Sequence, residues 1–126
     1  MTIQTAINGI NYMKPNTYKN EDVVLWLSEL DGIVKKEIMD THYYNEGEQE
    51  VIFEPYTVDD MTKELLIPEP YSDIYLKWLE AKIDYANNET ARYINSSSVF
   101  NGLYANYNNY YNRTHKPKST AFHYFN

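Results

Sequence analysis

The chain has 126 residues, the length of one domain, so a single compact unit with a modest hydrophobic core is expected. It contains no cysteine, which excludes disulfides, thiolate metal sites and thiol nucleophiles and fits a reducing compartment. A formal net charge of −7 argues against a protein that grips duplex phosphates, and no apolar run reaches the roughly 18 residues that a membrane span needs.

Two amphipathic helices are predicted before residue 42. Apolar side chains at helical spacing predict a first helix over 3–13, with Thr2 as its N-cap and Pro15 soon after its end. A longer helix is predicted over 20–41, with Asn20 as the N-cap and acidic residues in the first turn. Its apolar stripe comprises Val23, Leu27, Leu30 and Val34, with Trp26 beside it.

Residues 43–70 lose the helical period and carry eight acidic side chains against one lysine. Prolines interrupt regular structure here, while residues 51–53 are β-compatible, so a long acidic loop or a short hairpin is predicted. A loop of this length is uncommon in a compact domain unless it has a role. Either it projects to meet a partner, or it packs on the core through Val51, Phe53, Leu65, Leu66 and Ile67.

From Ser72 the helical period returns and continues to about Arg113. One straight helix over this stretch would be about 63 Å long, too long for so small a domain, so a reversal or a sharp kink is expected. Asn87-Asn88 is the first candidate for the reversal and 95–98 is the second.

The predicted fold is therefore mainly α, a small bundle of about four helices within a single domain 1–126. Its helices lie at 3–13, 20–41, 72–86 and 89–113, with the loop at 43–70 and an extended tail over 114–126. The predicted interior consists of Trp26, Leu27, Leu30, Leu76, Leu79, Ile83 and Phe100.

Patterns that carry catalysis or metal binding are weak in this sequence. The three histidines, His42, His115 and His123, are scattered, and the isolated glycines form no phosphate loop. The carboxylates of 46–60 lack the spacing of a calcium loop, so they are interpreted as a solvated acidic surface. We predict no catalytic residue, no cofactor and no metal site.

Fourteen tyrosines are well above average usage, and many recur at helical spacing after residue 90. They form either the rim of the core or an interface, since tyrosine supplies contact area at low entropic cost. Stacking on nucleic-acid bases is disfavoured, because it needs a positive groove and only 112–126 is basic. The candidate interface residues are Phe53, Tyr56, Tyr104, Tyr107, Tyr111, Arg113, Lys116, Lys118, Phe122, Tyr124 and Phe125.

The chain is electrically polarised, because the segment 43–70 is acidic and 112–126 has three basic residues and no acid. These two segments either neutralise each other within one subunit or join neighbouring subunits head to tail. Exposed ion pairs contribute only about 0–1 kcal/mol, so the tail aromatics Phe122, Tyr124 and Phe125 would supply most of the affinity between subunits.

A set of packing residues runs along most of the chain. It comprises LLIPEPY at 65–71, then Tyr75, Trp78, Leu79, Glu80, Ala81, Asp84, Tyr85 and Ala86. It continues with Arg92-Tyr93, Asn95-Ser96, Phe100, Tyr104 and YNRTH at 111–115, and Trp26-Leu27 and Leu30-Asp31-Gly32 precede it. From about Met13 to Pro117 this pattern resembles tailed-bacteriophage head–tail connector (adaptor, or head completion) proteins of the small helical type.

The resemblance implies a structural subunit, not an enzyme, that assembles with copies of itself into a ring beneath the phage portal protein. Such a ring extends the DNA channel, lets DNA pass without specific binding, and offers a platform for the stopper or tail-completion protein. The implied location is the head–tail interface of the virion, and the host cytoplasm during assembly. An acidic channel protein would repel phosphates rather than hold them, in agreement with this function.

Two rival interpretations come from other classes of protein. A helical regulatory or nucleic-acid-binding module of a prophage would need a basic recognition helix, and none of the predicted helices is basic. A small metal-dependent hydrolase acting through the acidic loop would need clustered histidines and carboxylates, which the spacing does not provide.

Overall fold

The computed structural model describes residues 1–118, which form a bundle of four α-helices joined by irregular segments. The elements are α1 (Ile3–Met13), α2 (Asn20–Val34) with a π-helical turn (Lys35–Met39), a 3₁₀ turn (Val58–Asp60), α3 (Asp73–Ala86) and α4 (Thr90–Thr114). The predicted mainly α class is confirmed. Residues 1–118 contain no β-strand, only two isolated bridges, so the predicted hairpin does not form there. Within the same residues, no helix has the length and apolar character to cross a bilayer.

Helix α1 has the bounds that its sequence predicts. The Thr2 hydroxyl accepts the Thr5 amide at 3.1 Å, which satisfies one of the free donors of the first turn. Its buried side chains are Ile3, Ala6, Ile7 and Ile10. The helix ends two residues before Pro15, as proline geometry requires.

Helix α2 differs from its prediction at both ends. The N-cap position belongs to Lys19, and Asn20 is the first helical residue, so the predicted cap is wrong by one position. At the other end the chain continues as the π-helical turn, in which the Asp40 amide donates to the Lys35 carbonyl at 2.8 Å. The Lys35 ammonium pairs with the Asp40 carboxylate, and this five-residue spacing suits the i to i+5 pattern of a π-helix.

Helices α3 and α4 form an antiparallel hairpin that reverses at the first of the two predicted positions. Asn88 has a φ of 58°, in the left-handed region that asparagine tolerates better than most residues. The Glu89 amide donates to the Asp84 carbonyl at 2.9 Å and closes the turn. The second candidate, 95–98, lies inside α4.

The core lies between α1, α2 and the α3–α4 hairpin. Of the predicted interior, Leu27, Leu30, Leu79 and Ile83 are buried. The larger Trp26, Leu76 and Phe100 are only half-buried at its edge. The Trp78 indole donates to the Trp26 carbonyl at 2.7 Å, which ties α3 to α2 at that edge. The centre instead holds Tyr75 and Tyr107, two large side chains that were not predicted there.

The acidic segment lies on the core and does not project as a whole. Tyr56, Leu65 and Ile67 are buried, and the Leu65 amide donates to the Met1 carbonyl at 2.9 Å. Most of its carboxylates remain exposed. The packing alternative is therefore the one that the structure shows, because the apolar side chains between the charges would otherwise stay in water.

A buried carboxylate, Asp31 on α2, organises this packing. The Tyr56 and Tyr75 hydroxyls each donate to it at 2.5 Å, and the Leu66 amide donates at 3.0 Å. The Tyr75 oxygen in turn accepts the Ile67 amide at 2.7 Å. The Asp31 cluster therefore joins α2, α3 and the acidic segment through a fully buried carboxyl group.

Replacing Leu79 by alanine should lower the free energy of unfolding by about 2–5 kcal/mol, because the side chain is buried and leaves a cavity. Leu25 offers a matched control, since it is 58% exposed on α2, and its alanine variant should change stability by less than about 0.5 kcal/mol. Urea denaturation of both variants checks this. Equal denaturation midpoints for the Leu79 and Leu25 variants would contradict the placement of Leu79 in the core.

Candidate assembly surface

Three of the predicted interface residues are part of the core. Tyr56, Tyr107 and Tyr111 are buried, and Tyr107 is only 1% exposed. Tyr107 packs on the ring of Tyr71 with centroids 5.4 Å apart, and burial raises the pKa of its hydroxyl. Burial also raises the pKa of Tyr111, to about 12. These three side chains are therefore not accessible to a partner in the described structure. Tyr107 and Tyr111 lie on the face of α4 that packs on the rest of the chain, and Tyr56 packs on α2 beside Asp31.

Phe53 and Tyr104 lie at the edge of the core. Phe53 meets Tyr56 edge to face at 5.3 Å, and Tyr104 stacks on Phe100 at 5.5 Å. Burial raises the pKa of the Tyr104 hydroxyl. Each ring is half-buried, so only part of it is accessible to a partner.

The start of the basic tail lies on its own subunit. The Tyr43 amide donates to the Lys116 carbonyl at 2.8 Å, and the Lys118 amide donates to the Thr41 carbonyl at 3.0 Å. His115 lies 3.0 Å from a Glu48 oxygen, and the Asn45 amide together with His115 lowers the pKa of that carboxyl. Residues 114–118 therefore contact the acidic side of their own subunit, which is the intrachain alternative.

The remaining predicted tail residues fall into two groups. The side chains of Arg113, Lys116 and Lys118 are exposed. Phe122, Tyr124 and Phe125 lie outside the described residues, so their role stays a prediction.

One long face of α4 is exposed and uncharged. Residues 93–112 include no Asp, Glu, Lys or Arg. Exposed positions on this face follow each other at alternating spacings of four and three, the spacing of a coiled-coil contact line. We call them the α4 seam: Ala91, Asn95, Ser98, Gly102, Ala105, Asn109 and Asn112. Exposed helix faces usually carry charges, and charged residues are depleted in the core of protein interfaces, so the absence of charge is the feature of this face that agrees with an interface.

Gly102 lies in the middle of the α4 seam. A Cβ added there would meet no heavy atom of the described chain within 4 Å. Glycine in an exposed helix is about 1 kcal/mol less favourable than alanine, and no contact within residues 1–118 accounts for it. A neighbouring backbone that approaches α4 closely at this point would account for it.

An aromatic groove runs between α3 and α4 beside the α4 seam. Trp78 and Phe100 pair at 5.1 Å, and Tyr85 and Tyr93 pair at 5.3 Å. Two adjoining cavities of about 460 and 410 Å³ share Tyr85 and Tyr93. Lys82, Ser97 and Asn101 also line the first cavity, and Asp84, Glu89 and Ile94 also line the second. Tyr85 is 68% exposed and Ile94 62% exposed, so this aromatic surface is open to solvent.

A polar cleft of about 500 Å³ lies at the opposite flank of the hairpin, where α1 ends. The Lys14 ammonium lies 2.6 Å from the buried Asp84 carboxylate, which also accepts the Ser96 hydroxyl at 2.8 Å. The hydrogen bond to Asp84 is the main reason that the pKa of Lys14 is raised. Arg92 pairs with Glu89 at 2.9 Å. These charges satisfy one another and tie α1 to the hairpin, and no group of three metal-ligating side chains occurs in residues 1–118.

Of the interface residues predicted on α4, Tyr107 and Tyr111 are buried, Tyr104 is half-buried and Arg113 is exposed. The signals that indicate the α4 seam were present in the sequence, as a run of 20 residues without charge and a spacing of four and three. The aromatic groove could not be predicted from the sequence, because Tyr85 and Tyr93 meet only across the reversal at Asn88.

Comparison with protein-family models, with curated protein sequences and with solved structures gives no match for this chain. The likeness to head–tail connectors therefore stays a prediction that depends on the residues quoted for it. What the chain can do is inferred from the α4 seam and the aromatic groove.

Proposed function

We propose that this chain is a structural subunit of a phage head–tail connector ring, which docks under the portal, extends the DNA channel and carries the stopper or tail. The observation that supports assembly most strongly is the exposed, uncharged α4 seam. Copies with a net charge of −7 repel each other over most of their surface, and a neutral face lets two copies approach with least repulsion.

A ring requires contacts between two different patches of the same chain, because identical patches would close a dimer instead. The α4 seam supplies one patch. It is rich in asparagine, whose amide both donates and accepts hydrogen bonds, so it can pair with a polar partner surface without a buried charge. The aromatic groove beside it offers a second, chemically different surface on the same subunit.

Electron microscopy of the protein mixed with the portal protein encoded in the same genome tests this function. We expect portal particles to gain a ring of additional density at one end, with portal alone as the control. Genes for capsid and tail-completion proteins beside this one would agree with the assignment. Portal particles that remain unchanged at a large excess of the protein would overturn it.

The proposed channel subunit should not bind duplex DNA specifically. Its net charge of −7 gives little attraction to phosphates, and weak electrostatic binding is largely lost at about 200 mM salt. Fluorescence anisotropy with a labelled duplex should therefore show no complex at that salt concentration, with low-salt buffer as the comparison. A specific complex that survives would favour the regulatory, nucleic-acid-binding alternative.

A further inference from the structure

The α4 seam alone is a small interface. Its 22 residues span about 33 Å, and a helix is about 10 Å wide, which gives about 330 Å² per subunit. Stable interfaces bury about 800 Å² on each partner. Neighbouring copies that meet through this seam therefore need a second contact, and the open aromatic groove lies directly beside it.

The groove has the chemistry of a site for aromatic side chains. Trp78, Tyr85, Tyr93 and Phe100 offer ring faces and edges, the geometry in which aromatic pairs are favourable. The nearby Lys82 ammonium lies 4.6 Å from the Trp78 ring and 3.9 Å from a Glu29 oxygen. Asp84 and Glu89 line the second cavity, so a ligand for this groove is expected to be aromatic and to carry no negative charge.

The chain itself contains such a segment in residues 119–126, with the sequence STAFHYFN. It has three aromatic residues besides His123 and no Asp, Glu, Lys or Arg. The segment begins after Lys118, whose amide donates to the Thr41 carbonyl. Lys116 and Lys118 precede it, and their positive charges favour its approach to a neighbouring copy, whose net charge is −7.

Chain length decides which copy can supply this segment. Lys118 lies beside the last turns of α4, because the adjacent His42 ring contacts Asn112 at 2.6 Å. Along α4, Phe100 is about 18 Å from Asn112 and Tyr93 about 29 Å. Four extended residues reach only about 14 Å, so Phe122 cannot enter the groove of its own subunit. Six and seven extended residues reach about 22 and 25 Å, so Tyr124 and Phe125 could reach the level of Phe100 in their own subunit but not that of Tyr93. Only a neighbouring copy can therefore place all three aromatic residues in one groove.

We propose that residues 119–126 of one copy dock in the aromatic groove of a neighbouring copy, with Phe122, Tyr124 and Phe125 against its aromatic rings. A few buried aromatic anchors carry most of the energy of such contacts. This inference rests on the proposed ring. It identifies the contact between neighbouring subunits as the tail of one copy in the groove of the next.

Disulfide trapping tests the contact in the full-length chain, whose lack of cysteine removes background. Ser97 lines the groove, and Ala121 precedes the first tail anchor. Chains carrying Ser97→Cys and Ala121→Cys, with different tags, are mixed with and without portal and treated with a mild oxidant. We expect a covalent heterodimer, and replacing Phe122 and Phe125 by alanine should reduce its yield by about tenfold or more.

A control cysteine distinguishes the groove from the acidic segment. Ile52 is 78% exposed among the carboxylates, so efficient trapping between Ile52→Cys and Ala121→Cys, without trapping at Ser97→Cys, would place the tail there and overturn the inference. An intrachain disulfide in a chain carrying both Ser97→Cys and Ala121→Cys would overturn it as well. If rings form on the portal but no disulfide forms between Ser97→Cys and Ala121→Cys, the docking of the tail in the groove is refuted and the connector function is not. If the disulfide forms in the free protein but the protein does not bind the portal, only the connector function is refuted.

Discussion

Replacing Asp31 by alanine is expected to lower the free energy of unfolding by about 3–5 kcal/mol. The substitution removes the common acceptor of the Tyr56 and Tyr75 hydroxyls and of the Leu66 amide. Each of these buried donors then lacks a partner, which is unfavourable by about 1–3 kcal/mol, and the side chain leaves a cavity. Urea denaturation followed by circular dichroism measures the loss.

Asp31→Asn is the matched control, because it keeps the shape and one acceptor oxygen and should destabilise much less than alanine. A loss of under about 0.5 kcal/mol for Asp31→Ala would show that the Asp31 cluster contributes little to folding. Tyr56→Phe removes a single hydrogen bond and should destabilise by about 1 kcal/mol.

The Asp31 cluster also gives stability a dependence on pH. Burial is the largest influence on this carboxyl and raises its pKa above the ordinary 3.8, although hydrogen bonds from Tyr56 and Tyr75 oppose the rise. The folded state therefore binds the proton more tightly than the unfolded state. The contribution of Asp31 to stability consequently declines as pH rises from below 3.8 through the raised pKa. Asp31→Asn should remove this part of the pH dependence, and an unchanged slope would contradict the assignment.

The sequence predicted those elements whose ends depend on nearby residues. Helix α1 begins at a Thr2 cap and ends before Pro15, and the hairpin reverses at Asn88, which can adopt a positive φ. The burial of Asp31 has no local cause. Its hydroxyl partners lie 25 and 44 residues away, so an Asp followed by Gly32 looks like an ordinary polar position in the sequence.

The same limit applies to the candidate interface. Helical spacing places Tyr93 and Tyr107 on related faces of α4. Only tertiary packing, which sets Tyr107 against Tyr71, decides that Tyr107 is buried while Tyr93 borders an open groove. The α4 seam depends on the absence of charge, which is visible in the sequence. Its exposure is not, because a neutral helix face occurs equally in a core.

Two substitutions in the α4 seam are expected to separate folding from assembly. Gly102→Ala should stabilise the free chain by about 0.5–1 kcal/mol, because alanine favours the helix and its Cβ would enter open space. The same methyl group should weaken ring formation if a neighbouring backbone packs against Gly102. A higher melting temperature together with less ring density on portal particles is the expected pair of results.

Ala105→Lys should abolish ring formation and leave the melting temperature nearly unchanged, because position 105 is exposed in the free chain. An unpaired lysine buried between subunits loses its hydration without compensation, which is unfavourable by several kcal/mol and corresponds to more than a hundredfold in affinity. Overall repulsion cannot be the cause, because the substitution reduces the negative net charge. Asn8→Lys on α1 makes the same change in charge at an exposed position outside the seam and should assemble normally. Rings that form equally well from both variants would show that the α4 seam faces solvent in the assembly.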